Sequence, residues 1–142
     1  ISTEDEEIAK VARESGAKVV MRHPSLADDK TYKQAVIRSA ALEIEASEGP
    51  QDIYISLQAN SPQIKPEHLE QAIDTLLKYN RSEIFSVDEN LMQNAAFRIF
   101  KGDYVYQEDL STNCGVIVCN LHDVHTIEDI QHLEANIPQE AT

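Results

Sequence analysis

This sequence has few basic residues and no long apolar stretch. Its 12 Lys and Arg residues face 25 Asp and Glu residues, which gives a formal net charge of −13. A charge of that size repels nucleic acid and anionic membrane surfaces, so both are excluded as partners. No apolar run approaches the roughly 18 residues that a membrane-spanning helix needs. Any site for phosphate or carboxylate groups would therefore need a divalent metal, helix N-termini or a basic segment from elsewhere.

Cysteine is also scarce, since Cys114 and Cys119 are the only two. They lie five residues apart in an apolar segment that reads as a strand, so alternation points them to opposite faces of a sheet. That arrangement argues against a mutual disulfide and against a chelating pair. Unbridged thiols suit a reducing compartment, and we therefore expect a cytoplasmic protein.

The chain is long enough for one domain and too short for two ordinary ones, so we expect a single domain over residues 1–142. Four helices are predicted. The first begins with a capping-box arrangement of Ser2, Thr3 and Glu6 and ends at Gly16, and the second begins at Thr31 and ends at Gly49. The third begins at Pro66, and the fourth begins after Thr126. The predicted strands are 18–21, 53–57, 84–87 and 115–119. Strands separated by helices indicate an α/β fold.

Aromatic residues cluster late in the chain. Residues 97–100 and 104–106, joined by Lys101-Gly102-Asp103, are predicted to form a β-hairpin. Half of the chain's Phe and Tyr residues lie in it: Phe97, Phe100, Tyr104 and Tyr106. Because aromatic residues concentrate at interfaces, we expect a homodimer formed through the region 97–106. The alternative is that these side chains pack inward on their own sheet.

Four short segments carry a resemblance to a known family. They are STEDEEIA at 2–9 followed by Gly16-Ala17, RHPSLADD at 22–29, LQANSP at 57–62, and DVHTIED at 123–129. In this order they resemble the motifs of the acylneuraminate cytidylyltransferases, a family related to the Kdo cytidylyltransferases. The resemblance spans almost the whole chain. It implies the three-layer fold of nucleotide-diphospho-sugar transferases, in which helices cover both faces of a mixed sheet.

The resemblance also implies a reaction. The anomeric hydroxyl of an acidic nine-carbon sugar attacks the α-phosphate of CTP, pyrophosphate leaves, and a CMP-sugar forms. Such a transfer depends on positioning and on neutralising charge in the transition state. In the family, a basic N-terminal loop cradles the triphosphate. By this comparison we expect the chain to lack the first strand, the phosphate loop and the first helix, and to be inactive alone.

The sugar and nucleotide positions follow from the same resemblance. Gln58, Asn60 and Ser61 match substrate-binding positions, and Arg22 matches a nucleotide-contacting arginine. Thr31 begins a predicted helix whose N-terminus could hold a phosphate. Each residue also has a structural explanation. The amide of Gln58 could satisfy its own loop, Asn60 could favour the turn before Ser61-Pro62, and Arg22 could be solvated.

The resemblance places Mg²⁺ on a pair of Asp residues, which here are Asp123 and His125, with Asp123 as the catalytic residue. Mg²⁺ takes carboxylates far better than imidazole, so His125 departs from the family pattern. A zinc site from His122, Asp123 and His125 is the alternative, but no further ligand is spaced to complete one.

Two other functions stay open at this point. One is a non-catalytic module of the same fold that binds a ligand weakly or binds a partner chain, favoured by the absent phosphate loop and by His125. The other is a nucleotidyltransferase of the same fold with a different sugar or base, because Asn60 stands where the family has threonine.

Overall fold

The computed structural model describes residues 1–28, 31–108 and 111–137. Within these ranges the strands are β1 (Ser2–Thr3), β2 (Val20–Met21), β3 (Ile53–Leu57), β4 (Glu83–Val87), β5 (Gln93–Lys101) and β6 (Cys114–Val118). The helices are α1 (Glu6–Glu14), α2 (Lys33–Glu48), α3 (Pro66–Lys78) and α4 (Ile127–Ala135). Parallel and antiparallel strands both occur, so the prediction of an α/β fold with a mixed sheet is confirmed.

The chain divides into two compact units. Residues 1–54 and 102–108 form the first, and residues 55–101 and 111–137 belong to the second. The prediction of a single domain over 1–142 stays a prediction. In the described part of the chain, no helix is both long enough and apolar enough to cross a membrane.

In the first unit, the start of α1 differs from the expected capping box. Asp5 caps the helix, because its carboxylate accepts the backbone N–H groups of Glu7 at 2.8 Å and Ile8 at 3.0 Å. Thr3 instead belongs to β1, which pairs in parallel with β2. The end of the helix is as predicted, since Gly16 has the left-handed φ of 81° that a residue after a helix often adopts.

The predicted hairpin of residues 97–106 is wrong. β5 continues to Lys101, and Tyr104–Tyr106 form one short 3-10 turn. Gly102 is required between them, because a Cβ at that position would lie 1.9 Å from the Gln51 carbonyl oxygen. The chain therefore makes a close turn against its own backbone, where a second strand was expected.

Polar contacts from α2 hold this turn in place. Gln34 donates from Nε2 to the Val105 carbonyl at 2.8 Å, and the Tyr106 hydroxyl donates to the Glu45 carboxylate. Burial, and then the hydrogen bond to Glu45, raise the pKa of Tyr106 above its usual range, so the hydroxyl stays a donor. α2 itself begins at Lys33, two residues after the predicted start at Thr31.

The aromatic cluster does not present a common surface. Phe97 and Phe100 are both 0% exposed within this one chain, as the alternative of inward packing expected. Neither side chain is available to a second chain, although Tyr104 and Tyr106 are half-buried. The homodimer itself stays a prediction.

The second unit is built on a four-stranded sheet in the order β3–β5–β4–β6. β4 pairs antiparallel with β5, through Ile84 opposite Ile99, and parallel with β6, through Ile84 opposite Gly115. The hairpin of this unit is therefore β4–β5, and Asp88 closes its turn by accepting the backbone N–H of Asn90. α3 packs on this sheet and buries Leu76 completely. Pro66 starts α3, as predicted.

One buried ion pair crosses from β4 to β5. The Nε of Arg98 lies 2.6 Å from a carboxylate oxygen of Glu83, and the two side chains are 18% and 6% exposed. The Arg98 guanidinium also lies over the Phe100 ring at 4.6 Å from its centroid. Removing the carboxylate would leave a mostly buried guanidinium without its counter-charge.

We therefore expect Glu83→Gln to lower the free energy of unfolding by roughly 3 kcal/mol, as happens when one partner of a buried pair is removed. Urea unfolding of the full chain measures this. Glu108→Gln is the matched control, because Glu108 pairs with Arg38 at 2.9 Å but its side chain is 80% exposed. That exposed pair should contribute less than about 1 kcal/mol. Equal losses in the two variants would contradict the buried-pair interpretation.

Candidate functional site

Two loops of the second unit meet beside the sheet. Residues 58–63 follow β3, and residues 119–126 follow β6. Three hydrogen bonds join them. The Ser61 hydroxyl donates to Asp123 Oδ1 at 3.0 Å, the Val124 N–H donates to the Asn60 carbonyl at 2.8 Å, and the His122 N–H donates to Gln63 Oε1 at 2.9 Å. The fold therefore brings Asn60 and Ser61 together with Asp123 and His125, two pairs of predicted site residues that lie about 60 positions apart in the sequence.

The first loop is a tight turn. Gln58 ends the pairing of β3, since its N–H donates to the Ala96 carbonyl at 2.9 Å. Its own carbonyl accepts the Ser61 N–H at 3.1 Å, which folds the chain back. Ser61 is thereby only 2% exposed, whereas Gln58 and Asn60 are half-buried. The turn buries the serine that contacts Asp123 and leaves the two amide side chains partly accessible.

Asp123 and His125 lie side by side, as the predicted extended stretch requires. The His125 Nε2 is 3.5 Å from Asp123 Oδ2, and the two side chains are 68% and 40% exposed respectively. The donor set fits Mg²⁺ at Asp123, because one carboxylate commonly suffices where phosphate oxygens and waters complete the shell. It does not fit at His125, whose imidazole is a poor ligand for so hard an ion.

Within the described residues, protein side chains alone do not form a complete metal site. Over residues 1–28, 31–108 and 111–137, no group of three or more His, Cys, Asp or Glu side chains converges as a ligand set. The zinc alternative therefore gains no support, since structural zinc takes four protein ligands.

Asp129 organises the second loop. Its Oδ2 accepts the N–H groups of His125 and Thr126, both at 2.9 Å, and its Oδ1 lies 2.8 Å from the His122 ring. Thr126 completes a capping box with it at the start of α4. These contacts, with the His125 backbone N–H contributing most, hold the pKa of Asp129 well below its usual range.

Neither Gln63 nor Asp129 was predicted as a site residue. Gln63 follows the LQANSP segment in a loop and has no local pattern that marks it. Asp129 does have one, because Thr126 with an acidic residue three positions later is a capping-box signature. That signature shows how α4 begins, but not that the same carboxylate also holds the His122 ring.

The other two predicted site residues belong to the first unit, and each is engaged there. The Arg22 guanidinium is paired with Glu4, and its Nε lies 3.0 Å from the carboxylate. The hydrogen bond from Arg22 lowers the pKa of Glu4. The Thr31 hydroxyl donates to Asp28 Oδ1 at 2.6 Å. Asp29, the last residue of the RHPSLADD segment, lies outside the described residues.

The family model for cytidylyltransferases matches residues 1–139 of this chain. The chain therefore belongs to the cytidylyltransferase family, and the predicted resemblance is confirmed at that level. It is similar to N-acylneuraminate cytidylyltransferase A of Danio rerio, with 37% identity over 87 residues, and to N-acylneuraminate cytidylyltransferase of Oncorhynchus mykiss, with 33% identity over 88 residues. Each alignment covers 61% of this chain and 19% of the relative, so the matched part is about a fifth of each curated protein.

The role of Asp129 predicts a pH dependence. Because the pKa of Asp129 is lowered in the folded chain, its ionised carboxylate stabilises the loop at pH values above 3.8, the ordinary pKa of aspartate. This stabilisation is lost as the pH falls towards the folded pKa. We expect Asp129→Asn to speed amide exchange at His125 and Thr126 at neutral pH, with a smaller difference from the native chain in acid. Hydrogen exchange read by NMR measures it. Glu128→Gln, on the neighbouring carboxylate, is the control, and an equal effect there would rule out a specific role for Asp129.

Proposed function

We propose that this chain forms the acceptor-sugar and metal-binding part of an enzyme that transfers CMP from CTP to an N-acylneuraminate. The observation that supports this most directly is the hydrogen bond from Ser61 to Asp123. It joins the LQANSP loop to the DVHTIED loop in a chain that the cytidylyltransferase model matches over residues 1–139. The activity of the relatives, which are several times longer, is thus proposed here for the part of the chain that carries these two loops.

The proposed reaction is a displacement at phosphorus. The anomeric oxygen of the sugar forms a bond to the α-phosphorus of CTP, and the bond to the bridging oxygen of the β-phosphate breaks. Pyrophosphate leaves, and the hydroxyl proton passes to solvent or to a nearby base. Charge builds on phosphate oxygens during this step, so a divalent cation lowers its barrier.

Asp123 is the residue that would hold the Mg²⁺. Its Oδ1 already accepts the hydroxyl of the buried Ser61, which fixes the plane of the carboxylate. Its Oδ2 lies 3.5 Å from Nε2 of His125, a longer contact than the hydrogen bond at Oδ1. Oδ2 is therefore better placed than Oδ1 to bind a cation. Mg²⁺ held by Asp123 would supply positive charge that offsets part of the net charge of −13, which otherwise repels CTP.

Gln58 and Asn60 would contact the sugar. Both amide side chains are half-buried in the loop that Ser61 anchors, so their positions are restrained while their polar atoms can reach a ligand. An amide can donate to a carboxylate and accept from a hydroxyl, which suits an acidic sugar with many hydroxyl groups.

The cysteines support a reducing, cytoplasmic setting, because neither forms a disulfide within the described residues.

The second candidate function is a non-catalytic module that keeps the fold and binds a ligand weakly or binds a partner chain. Two observations favour it. His125 stands in place of a carboxylate at the metal position, and the Arg22 guanidinium is paired with Glu4. An arginine whose charge is already offset attracts a phosphate less than an unpaired one does. The two functions differ in whether CMP-sugar forms.

The charge of the chain predicts its nucleotide affinity. With a net charge of −13 and Arg22 paired, we expect the 142-residue chain alone to bind CTP only weakly, in the millimolar range or above, with Mg²⁺ present. Isothermal titration with CTP, and with CMP as the less charged control, measures the difference. Micromolar affinity for CTP would contradict this expectation and indicate a phosphate site elsewhere, such as the N-terminus of α2.

The metal position predicts the effect of two substitutions on CMP-sugar formation by the full-length protein from CTP, an N-acylneuraminate and Mg²⁺. We expect Asp123→Ala to abolish activity by removing the carboxylate that holds the cation. His125→Asp should raise activity, or lower the Mg²⁺ concentration needed for half of it, because a carboxylate pair binds Mg²⁺ better. His132→Asp adds the same charge on α4 and serves as the control.

Activity that survives Asp123→Ala, together with no effect of His125→Asp, would show that the loop is structural and would remove the proposed metal site. No CMP-sugar from the full-length protein at any Mg²⁺ concentration would favour the non-catalytic module. An NMR titration of the chain with CMP-sugar would then test whether CMP-sugar is the ligand of this module.

A further inference from the structure

Asn94 in β5 reaches past its neighbouring strand to the end of β6. β4 lies between β5 and β6 in the sheet, yet Asn94 Nδ2 donates to the Cys119 carbonyl at 2.7 Å. The Ser86 hydroxyl of β4 donates to Asn94 Oδ1 at 2.6 Å. Ser86 is completely buried, so this hydrogen bond fixes which end of the amide faces Cys119. The side chain thus links three strands at the end of the sheet where β4 and β6 finish.

An irregularity in strand pairing makes this bridge possible. β4 and β5 pair regularly up to Phe85 opposite Arg98, but Val87 is then opposite Gln93, so the register shifts between them. Asn94 lies in the shifted part, where its carboxamide oxygen also receives the Ala96 N–H at 3.3 Å. A change of register of this kind alters where a side chain points, and such irregularities are common next to functional sites.

The group that Asn94 holds is the first residue of the loop that carries Asp123. Cys119 is buried, and its N–H donates to the Val87 carbonyl at 2.8 Å, so both of its backbone polar groups are satisfied from neighbouring strands. The next residue is fixed as well, because Asn120 Oδ1 accepts the Glu89 N–H at 2.9 Å. Asp123 follows Asn120 by three positions. Where the loop begins therefore limits where Asp123 can lie.

We propose that Asn94 is a positioning residue for Asp123. By holding the Cys119 carbonyl, it sets the start of the 119–126 loop so that Asp123 meets Ser61 and the loop meets residues 60–63. Loss of the amide would leave a buried carbonyl without its donor, and the loop would move to let water reach it. The catalytic consequence rests on the proposed function, but the structural part of the proposal does not.

Asn113 offers a matched control. It lies next to the other end of β6, where its Nδ2 donates to the Asn80 carbonyl at 3.0 Å and its Oδ1 accepts from Arg81 at 3.1 Å. It is also half-buried. Asn113→Ala and Asn94→Ala thus each remove one amide that binds a backbone carbonyl at opposite ends of the same strand. A general loss of stability would look alike in the two variants.

The test is hydrogen exchange of the full chain, followed at the amides of His122 and Val124. These donate to Gln63 and Asn60 across the two loops. In Asn94→Ala we expect both amides to exchange about tenfold faster than in the native chain, the factor that corresponds to one lost hydrogen bond. Asn113→Ala should leave them unchanged, although both variants unfold at lower urea. Equal exchange at these amides in the two variants would overturn the proposal.

Activity separates this proposal from the proposed function. If the full-length protein makes CMP-sugar, Asn94→Ala should lower its kcat more than it raises the KM for CTP, and Asn113→Ala should change neither. A full-length protein that is inactive but still shows the contrast in exchange would reject the function and keep the role of Asn94. An active full-length protein without the contrast would reject the role of Asn94 and keep the function. If Asn94→Ala does not fold, Asn94→Asp replaces it, because it keeps the acceptor for Ser86 and removes the donor to Cys119.

Discussion

The candidate site depends on the hydrogen bonding of one strand, β4. It pairs antiparallel with β5 on one side and parallel with β6 on the other, with Glu83 to Val87 aligned with Cys114 to Val118. Parallel pairing makes β4 and β6 end on the same side of the sheet. The turn at Asp88 and the loop after Cys119 therefore start next to each other, as the Cys119 N–H to Val87 carbonyl bond shows. Ligands of open α/β sheets bind at such carboxyl ends.

Beyond the sheet, polar contacts fix the two site loops. Ile127 and Ile130 of α4 are exposed, so α4 gains little from burial of those side chains, and its start is set by Thr126 and Asp129. Asp123 of the 119–126 loop and Asp129 of α4 therefore differ in what they can do. Asp129 uses both oxygens to hold His122, His125 and Thr126, whereas Asp123 has one oxygen on Ser61 and the other 3.5 Å from His125. The first stabilises the loop, and the second can still take a ligand.

Local signals predicted the elements that local interactions form. Pro66 at the first position of α3 and Thr126 at the cap of α4 act within one helical turn, so the sequence alone was enough to locate them. The hairpin prediction failed for the opposite reason. Residues 104–106 look like a strand by composition, but the close approach of Gly102 to Gln51 and the hydrogen bonds from α2 turn the chain away from β5. Those contacts join residues about 50 to 70 positions apart, so no local pattern contains them.

By itself, then, the sequence determined the class of fold, the family through its four ordered segments, and which residues are candidates for the proposed chemistry. Only the tertiary structure decided which of these candidates lie together. It joined Ser61 to Asp123, paired Arg22 with Glu4, and placed the Asn94 amide on the Cys119 carbonyl. The physical reason is that spacing along a chain records periodicity and capping, whereas a hydrogen bond between distant residues depends on strand order and register, which are set by the packing of the whole sheet.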